Sequence, residues 1–135
     1  MTLPSERIAD YLAGRPIMVV GRAGMDIYPM PDGTRVEDAQ ELVNDVGGSS
    51  GNIAVSIAKQ GHPVMLLSAV SNDGVGRFVT RSLGEYGVDT RHCFVTTGLE
   101  RTSLAMAETT TDRPDVTIYR NDAADPVSYT HLTLP

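Results

Sequence analysis

The chain has 135 residues, 41% of them apolar, with few aromatics and a formal net charge of −6 at pH 7, which bounds it to one domain with a modest core or a piece of a larger one. This is the composition of an ordinary soluble globular protein, and its acidic balance excludes a nucleic-acid backbone or an anionic membrane surface as the main partner. A single cysteine, Cys93, excludes an internal disulfide and any multi-cysteine metal site.

Ser5 to Leu12 can form a short helix, with Pro4 near its start, Ile8 and Leu12 on one side and Gly14 after it. Glu6, Arg7 and Asp10 stand where a secretory signal would carry its apolar segment, and no apolar run reaches membrane-spanning length. A reducing, cytoplasmic location is expected. Ile17-Met18-Val19-Val20, bounded by Pro16 and Gly21, has the pattern of a strand buried on both faces of a parallel sheet. Past its end come Gly21 to Pro29, which carry Arg22 and Asp26. Ligands in open α/β sheets sit at the carboxyl ends of strands, which makes both residues candidates. Taken alone, a loop aspartate is more often a turn or capping residue. Met30 to Asp38, with Pro31 and Gly33, reads as a polar turn, and Leu42 to Val46 as a strand.

That strand runs into Val46-Gly47-Gly48-Ser49-Ser50-Gly51-Asn52-Ile53-Ala54, the stretch around which the chain is organised. It reads as a strand that ends in a glycine pair and turns at once into a helix. Ser49 or Ser50 is expected to cap the helix, Ile53, Ile57 and Ala54, Ala58 recur at four-residue spacing on one face, and Gly61 ends it. Gly47 and Gly48 let a ligand approach the main chain, the helix start offers unpaired N–H groups, and Asn52 both donates and accepts. Such a pocket suits a polyhydroxylated or anionic small molecule. Tight turn geometry alone explains the glycines equally well. The Gly-Lys-Ser/Thr ending of a phosphate loop is missing, and the spacing is not that of a dinucleotide fold.

Val64 to Leu67, continued by Ala69 and Val70, forms a second buried-type strand. Asn72-Asp73-Gly74 caps a second helix in which Val75, Phe78, Val79, Ser82, Leu83 and Tyr86 keep a three-four spacing, and Gly87 closes it. Arg77, Arg81 and Glu85 lie off that stripe as a solvated face. Val88 to Val95 enters a third strand, in which the neighbours His92 and Cys93 point to opposite faces, against a joint metal or nucleophile role. Thr102 to Glu108 and Val116 to Arg120 make a hairpin. Strand, helix, strand, helix, strand is the rhythm of a βαβ sheet, with the Met30–Val46 excursion and the hairpin as an added β layer. The last nine residues, 127–135, carry no charge and break that rhythm. They resemble a translated sequencing adaptor, so they are set aside as non-native and His131 receives no role.

Three segments carry a resemblance: Gly21-Arg22-Ala23-Gly24-Met25-Asp26 after the opening strand, Gly47-Gly48-x-x-x-Asn52-x-Ala54 ending at Gly61, and Val70-Ser71-Asn72-Asp73-Gly74-Val75-Gly76-Arg77-Phe78. In this order, over residues 16 to about 126, they resemble the ribokinase-like (PfkB family) carbohydrate kinases. Ser50, where the family usually has Ala, Gly or Pro, and Ser71, where Gly is common, are minor departures. The resemblance implies an α/β fold, the N-terminal part of a three-layer βαβ sheet with an added β lid built from segments about 27–46 and 102–120. It implies that Asp26, as acceptor, and Asn52, in both senses, hold sugar hydroxyls, while Gly47 and Gly48 admit the sugar to the backbone. Gly21-Arg22, Asp26-Ile27-Tyr28-Pro29 and Tyr119-Arg120-Asn121-Asp122-Ala123-Ala124-Asp125 resemble the members that act on sugar acids. The implied substrate is 5-dehydro-2-deoxygluconate, with 2-dehydro-3-deoxygluconate as the alternative. Arg120 first and Arg22 second would then pair with the carboxylate.

The reaction implied is in-line attack of a sugar hydroxyl on the γ-phosphate of ATP, with Mg²⁺ and a general base, under a lid that excludes water and also pairs two copies as a homodimer. ATP and Mg²⁺ are thus the cofactors of the full-length protein. The family's catalytic aspartate lies in a Gly-Ala-Gly-Asp-like motif farther along, and no such motif occurs in these 135 residues. The nucleotide site is absent from them as well, so the chain alone is expected to be inactive, with no catalytic and no metal residue assigned. Two readings of other classes stand beside this one: a non-catalytic sugar-binding module and a lid-only interaction domain.

Overall fold

The computed structural model describes residues 10–109 and 113–126. Asp10 to Leu12 are helical, while the earlier part of the expected Ser5–Leu12 helix and the expected adaptor tail lie outside the described residues. In chain order the elements are β1 (Ile17–Val20), β2 (Gly24–Met30), β3 (Glu41–Gly47), α1 (Ser49–Lys59) and β4 (Val64–Val70). There follow α2 (Gly74–Glu85), β5 (Cys93–Val95), β6 (Ser103–Ala107) and β7 (Val116–Tyr119). They make two sheets. One is parallel, in the order β1-β4-β5. The other runs β3-β2-β6-β7 and is antiparallel except between β2 and β6.

The two helices are bounded by local chemistry. Asp73 accepts hydrogen bonds from the N–H groups of Val75 and Gly76, both at 3.0 Å, so α2 has a side-chain cap. Both helices end in the same way. His62 N–H donates to Ile57 O and Gly61 N–H to Ala58 O after α1, and Val88 N–H to Leu83 O and Gly87 N–H to Gly84 O after α2. These are Schellman closures, with Gly61 and Gly87 at the left-handed position. The helices bury Ala54, Val55, Val79 and Leu83 against Val64, Leu66 and Val70 of β4 and Val88. Leu66 and Leu83 are fully buried, each contributing about 1.5–3 kcal/mol by removal from water. Val46 and Met25 join this core from the second sheet and Ala23 from the turn before it, and α2 packs on β2 and β3 as well as on β4.

A polar clasp joins the two sheets where β4 ends and β6 begins. Ser71 N–H donates to Thr102 Oγ1 at 2.8 Å, Thr102 N–H donates to Ser71 Oγ at 3.0 Å, and the two hydroxyls lie 2.8 Å apart. Both residues are buried. At the far end of the second sheet, the side chain of Glu108 gathers three partners: Arg35 at 2.8 Å and the N–H groups of Val36 and Asp115, both at 3.1 Å.

Several expectations are corrected. β1 is half-buried on one face and exposed on the other; Met18 and Val20 are 50% and 41% exposed, because no described element covers that side. The β layer begins earlier than residue 27, since Gly24 to Met30 is one strand paired on both sides, by β3 and β6. Its sequence hides this, because Gly24 and Pro29 are poor strand formers that pairing overrides. Ile53 is 53% exposed, so the buried face of α1 is centred on Ser50, Gly51, Ala54 and Val55 instead. The third strand is shorter than expected, Cys93–Val95. The added β layer is present as one sheet, its two halves joined by the parallel pairing of β2 with β6.

Candidate functional site

The site is built at the carboxyl end of β1. Gly21, at φ 138, turns the chain out of the parallel sheet, and Arg22 and Ala23 lead into β2. Asp26 sits opposite Asp45 of β3 and Ala105 of β6, and Ala105 sits opposite Ile118 of β7. Directly opposed residues share a face, so this row crosses one side of the sheet, with Tyr28 two residues on. Tyr28 donates its hydroxyl to Asp26 Oδ2 at 3.4 Å.

The Asp26 carboxyl fills the space beside Gly47. A Cβ on Gly47 would overlap all three of its terminal atoms. Gly47 is therefore required for room. Gly48 is required for conformation, since its φ is 86 and a Cβ there would also lie 2.7 Å from Arg22 O. Burial pushes the Asp26 carboxyl above the usual aspartate range, and the neighbouring Asp45 charge adds to this, while the Tyr28 hydroxyl and the Arg22 guanidinium pull it back. The Tyr28 phenol is raised by burial and then by the Asp26 charge. The result is a half-buried acceptor, aimed by a tyrosine, beside a cation and a stretch of bare backbone. That arrangement fits a sugar hydroxyl.

The start of α1 differs from expectation. Gly48 occupies the capping position, and no side chain caps the helix there. Ser49 and Ser50 lie inside the helix, and Ser50 Oγ donates instead to Val20 O at 3.2 Å. The N–H groups of Ser50 and Gly51 both donate to Arg22 O, at 3.2 and 3.1 Å, so they are not open to a ligand. Asn52 is exposed in the first turn, its own N–H bonded to Gly48 O at 2.9 Å.

Asp26, Gly47, Gly48 and Arg22 thus form one neighbourhood, with Asn52 a helical turn beyond Gly48. Arg120 is apart from them, just past the end of β7, two strands or about 10 Å across the sheet from β2. There its side chain pairs with that of Asp125 at 2.5 Å. Tyr28, Asp45 and Asp125 were not foreseen. Only Tyr28 had a readable signal, the two-residue alternation from Asp26, and it becomes visible once this segment is read as a strand. Among the described residues, no group of three His, Cys, Asp or Glu side chains is placed to hold a metal ion such as the implied Mg²⁺. An open depression of about 320 Å³, lined by Leu12, Ile17, Ile57, Gln60 and His62, lies at the opposite end of β1.

The model of the pfkB family carbohydrate kinases matches residues 15–131. The chain belongs to the PfkB family. It is 36% identical over 113 residues to the 5-dehydro-2-deoxygluconokinase of Photobacterium profundum, covering 82% of this chain and 34% of that protein. It is 32% identical over 110 residues to the enzyme of the same name from Lacticaseibacillus casei, covering 81% and 34%. The chain therefore spans about a third of the length of these PfkB relatives. Among solved structures, a PfkB protein from a Polaromonas species superposes with a TM-score of 0.74 at 23% identity, covering 82% of this chain and 37% of that one. A fructokinase from Xylella fastidiosa with bound ATP gives 0.70 at 27% identity, covering 82% and 34%. The fold is that of the ribokinase-like sugar kinases.

Proposed function

We propose that this chain is the sugar-recognition portion of a sugar-acid kinase, one that transfers the γ-phosphate of ATP to a hydroxyl of 5-dehydro-2-deoxygluconate or a related sugar acid. The observation that carries this reading is the Asp26 carboxyl seated in the space left by Gly47, which commits two strands and a helix start to presenting one acceptor. Asp26 accepts from a sugar hydroxyl, Asn52 donates and accepts beside it, and Gly47 and Gly48 keep the floor free of side chains. Arg120 or Arg22 meets the carboxylate, where a guanidinium offers paired N–H donors. The names of the relatives at 36% and 32% identity support the choice of acid. The four-stranded sheet acts as a lid that excludes water during transfer. ATP and Mg²⁺ are bound by parts of the full-length enzyme other than these residues, the enzyme works in the cytoplasm, and two lids pair in a homodimer.

Phosphorylation assays test this directly. The full reading frame with MgATP is expected to phosphorylate 5-dehydro-2-deoxygluconate in preference to 2-dehydro-3-deoxygluconate, and to lose at least about a hundredfold in kcat/KM on Asp26→Ala. The 135-residue chain alone is expected to show no turnover. Turnover by that chain, or indifference to Asp26→Ala, would overturn the reading.

A further inference from the structure

We infer that Asp125 positions Arg120 for the carboxylate of an acidic sugar. This rests on the sugar-acid reading above and deepens it. The side chain of Arg120 is half exposed, that of Asp125 is 1% exposed, and the two pair at 2.5 Å. A carboxylate this buried depends strongly on its cation. The pair therefore differs from a surface ion pair such as Arg81–Glu85, where both side chains are exposed and the contact is 3.7 Å.

The backbone holds Asp125 where it can do this. Asp122 adopts φ 51 and reverses the chain after Arg120. Arg101 N–H then donates to Asp122 O at 2.9 Å, Ala124 N–H donates to Arg101 O at 2.8 Å, and Ala124 is fully buried. Arg101 immediately precedes Thr102, which is clasped to Ser71. Through these links the guanidinium is tied to the junction of the two sheets. Arg120 lies one residue past the end of β7, whose Ile118 belongs to the row of residues that bears Asp26. The backbones of β2 and β7 lie two strand spacings apart, about 10 Å, a span on the scale of one sugar acid with a hydrogen bond at each end. Bidentate recognition of a planar carboxylate tolerates little misalignment, so fixing the arginine before the ligand arrives lowers the ordering cost of binding. Asp125 itself does not touch the sugar; it is a positioning residue that selects acids over neutral sugars.

Titration of the labelled 135-residue chain with D-gluconate, and separately with the neutral polyol glucitol, tests this by amide shifts. Gluconate is expected to bind more tightly than glucitol. Asp125→Asn should weaken gluconate about tenfold and leave glucitol unchanged, and it should add nothing in an Arg120→Met background. Equal losses for both ligands, or a further loss in the Arg120→Met background, would make Asp125 merely structural and overturn the inference. Should Asp125→Asn fail to fold, the Arg120 Nε–H resonance of the unmutated chain decides: a rigid signal supports positioning, and fast averaging refutes it. No gluconate preference in that chain, together with no effect of Arg120→Met, would show that the sugar-acid reading has failed and would take this inference with it.

Discussion

β4 buries six of its seven residues, whereas all four residues of β7 and the first five of β3 are exposed. The two sheets are stabilised by different means. The parallel sheet is a non-directional core of Leu66, Val70, Val79 and Leu83 gripped by both helices. The four-stranded sheet shares that core through Met25 of β2 and Val46 of β3, and adds directional contacts: the Ser71–Thr102 clasp at its base, the Arg120–Asp125 pair at its side and the Glu108 cluster at its tip. β7 therefore carries little of the core, whereas β4 carries much of it.

The largest effect should separate the two layers by their core. Leu66→Ala is expected to cost about 2–5 kcal/mol in urea unfolding, while Ile118→Ala on the exposed strand stays within about 0.5 kcal/mol. Comparable losses would erase the distinction. Next comes the junction of strand and site. Gly47→Ala forces its new methyl into the Asp26 carboxyl and should cost about 1–3 kcal/mol, most of it recovered when Asp26→Ala is added. A cycle with no coupling energy would mean that the strands simply move apart. Ser71→Ala leaves the buried Thr102 N–H without its acceptor, for about 1–3 kcal/mol. Its signature is spatial: amide exchange in β6 should accelerate more than in β4, and uniform acceleration would argue against a hinge at the clasp.

The smallest effects are read against pH, and two carboxylates of the lid should act in opposite directions. Glu108 is held below the usual glutamate range, first by the N–H of Asp115 and then by that of Val36, with Arg35 contributing. Its stabilisation is complete above the ordinary value of 4.5 and is lost as pH falls through the lower folded value. Protection against amide exchange at the tip of β6 and β7, corrected for the intrinsic rate at each pH, should therefore fall on acidification, and Glu108→Gln should flatten that slope. Asp26 is raised by burial, so its folded form binds the proton more readily than the unfolded chain, and its contribution to stability grows as pH falls through the raised value. Asp26→Asn should remove that slope. If the two variants changed the profile in the same direction, one of these environments would be misread.

Much of the core was legible in the sequence because it obeys period and punctuation. Asp73 announces α2, Gly61 and Gly87 stop the helices, and the Val64–Val70 run is buried as its composition requires. The lid strand β2 was not legible, since Gly24 and Pro29 argue against a strand and only its partners β3 and β6 make it one. Of the site, Asp26 and the glycine pair were found from chain order, but the reason for Gly47 was not, because it depends on a side chain twenty-one residues earlier crossing to a neighbouring strand. The helix cap was misassigned because serines are strong capping residues, and here a main-chain carbonyl serves in their place. Asp125 stood in the Tyr119–Asp125 run, but nothing local distinguished it as a buried aspartate rather than a turn aspartate.

The Arg22 carbonyl accepts from two amides at the head of α1, and this decides what that corner can attract. With those donors spent on the protein's own oxygen, the helix tip works as a mortise rather than as a socket for oxyanions. A phosphate would gain little there, while an uncharged hydroxyl loses nothing by the arrangement. That corner therefore suits an uncharged hydroxyl better than an oxyanion.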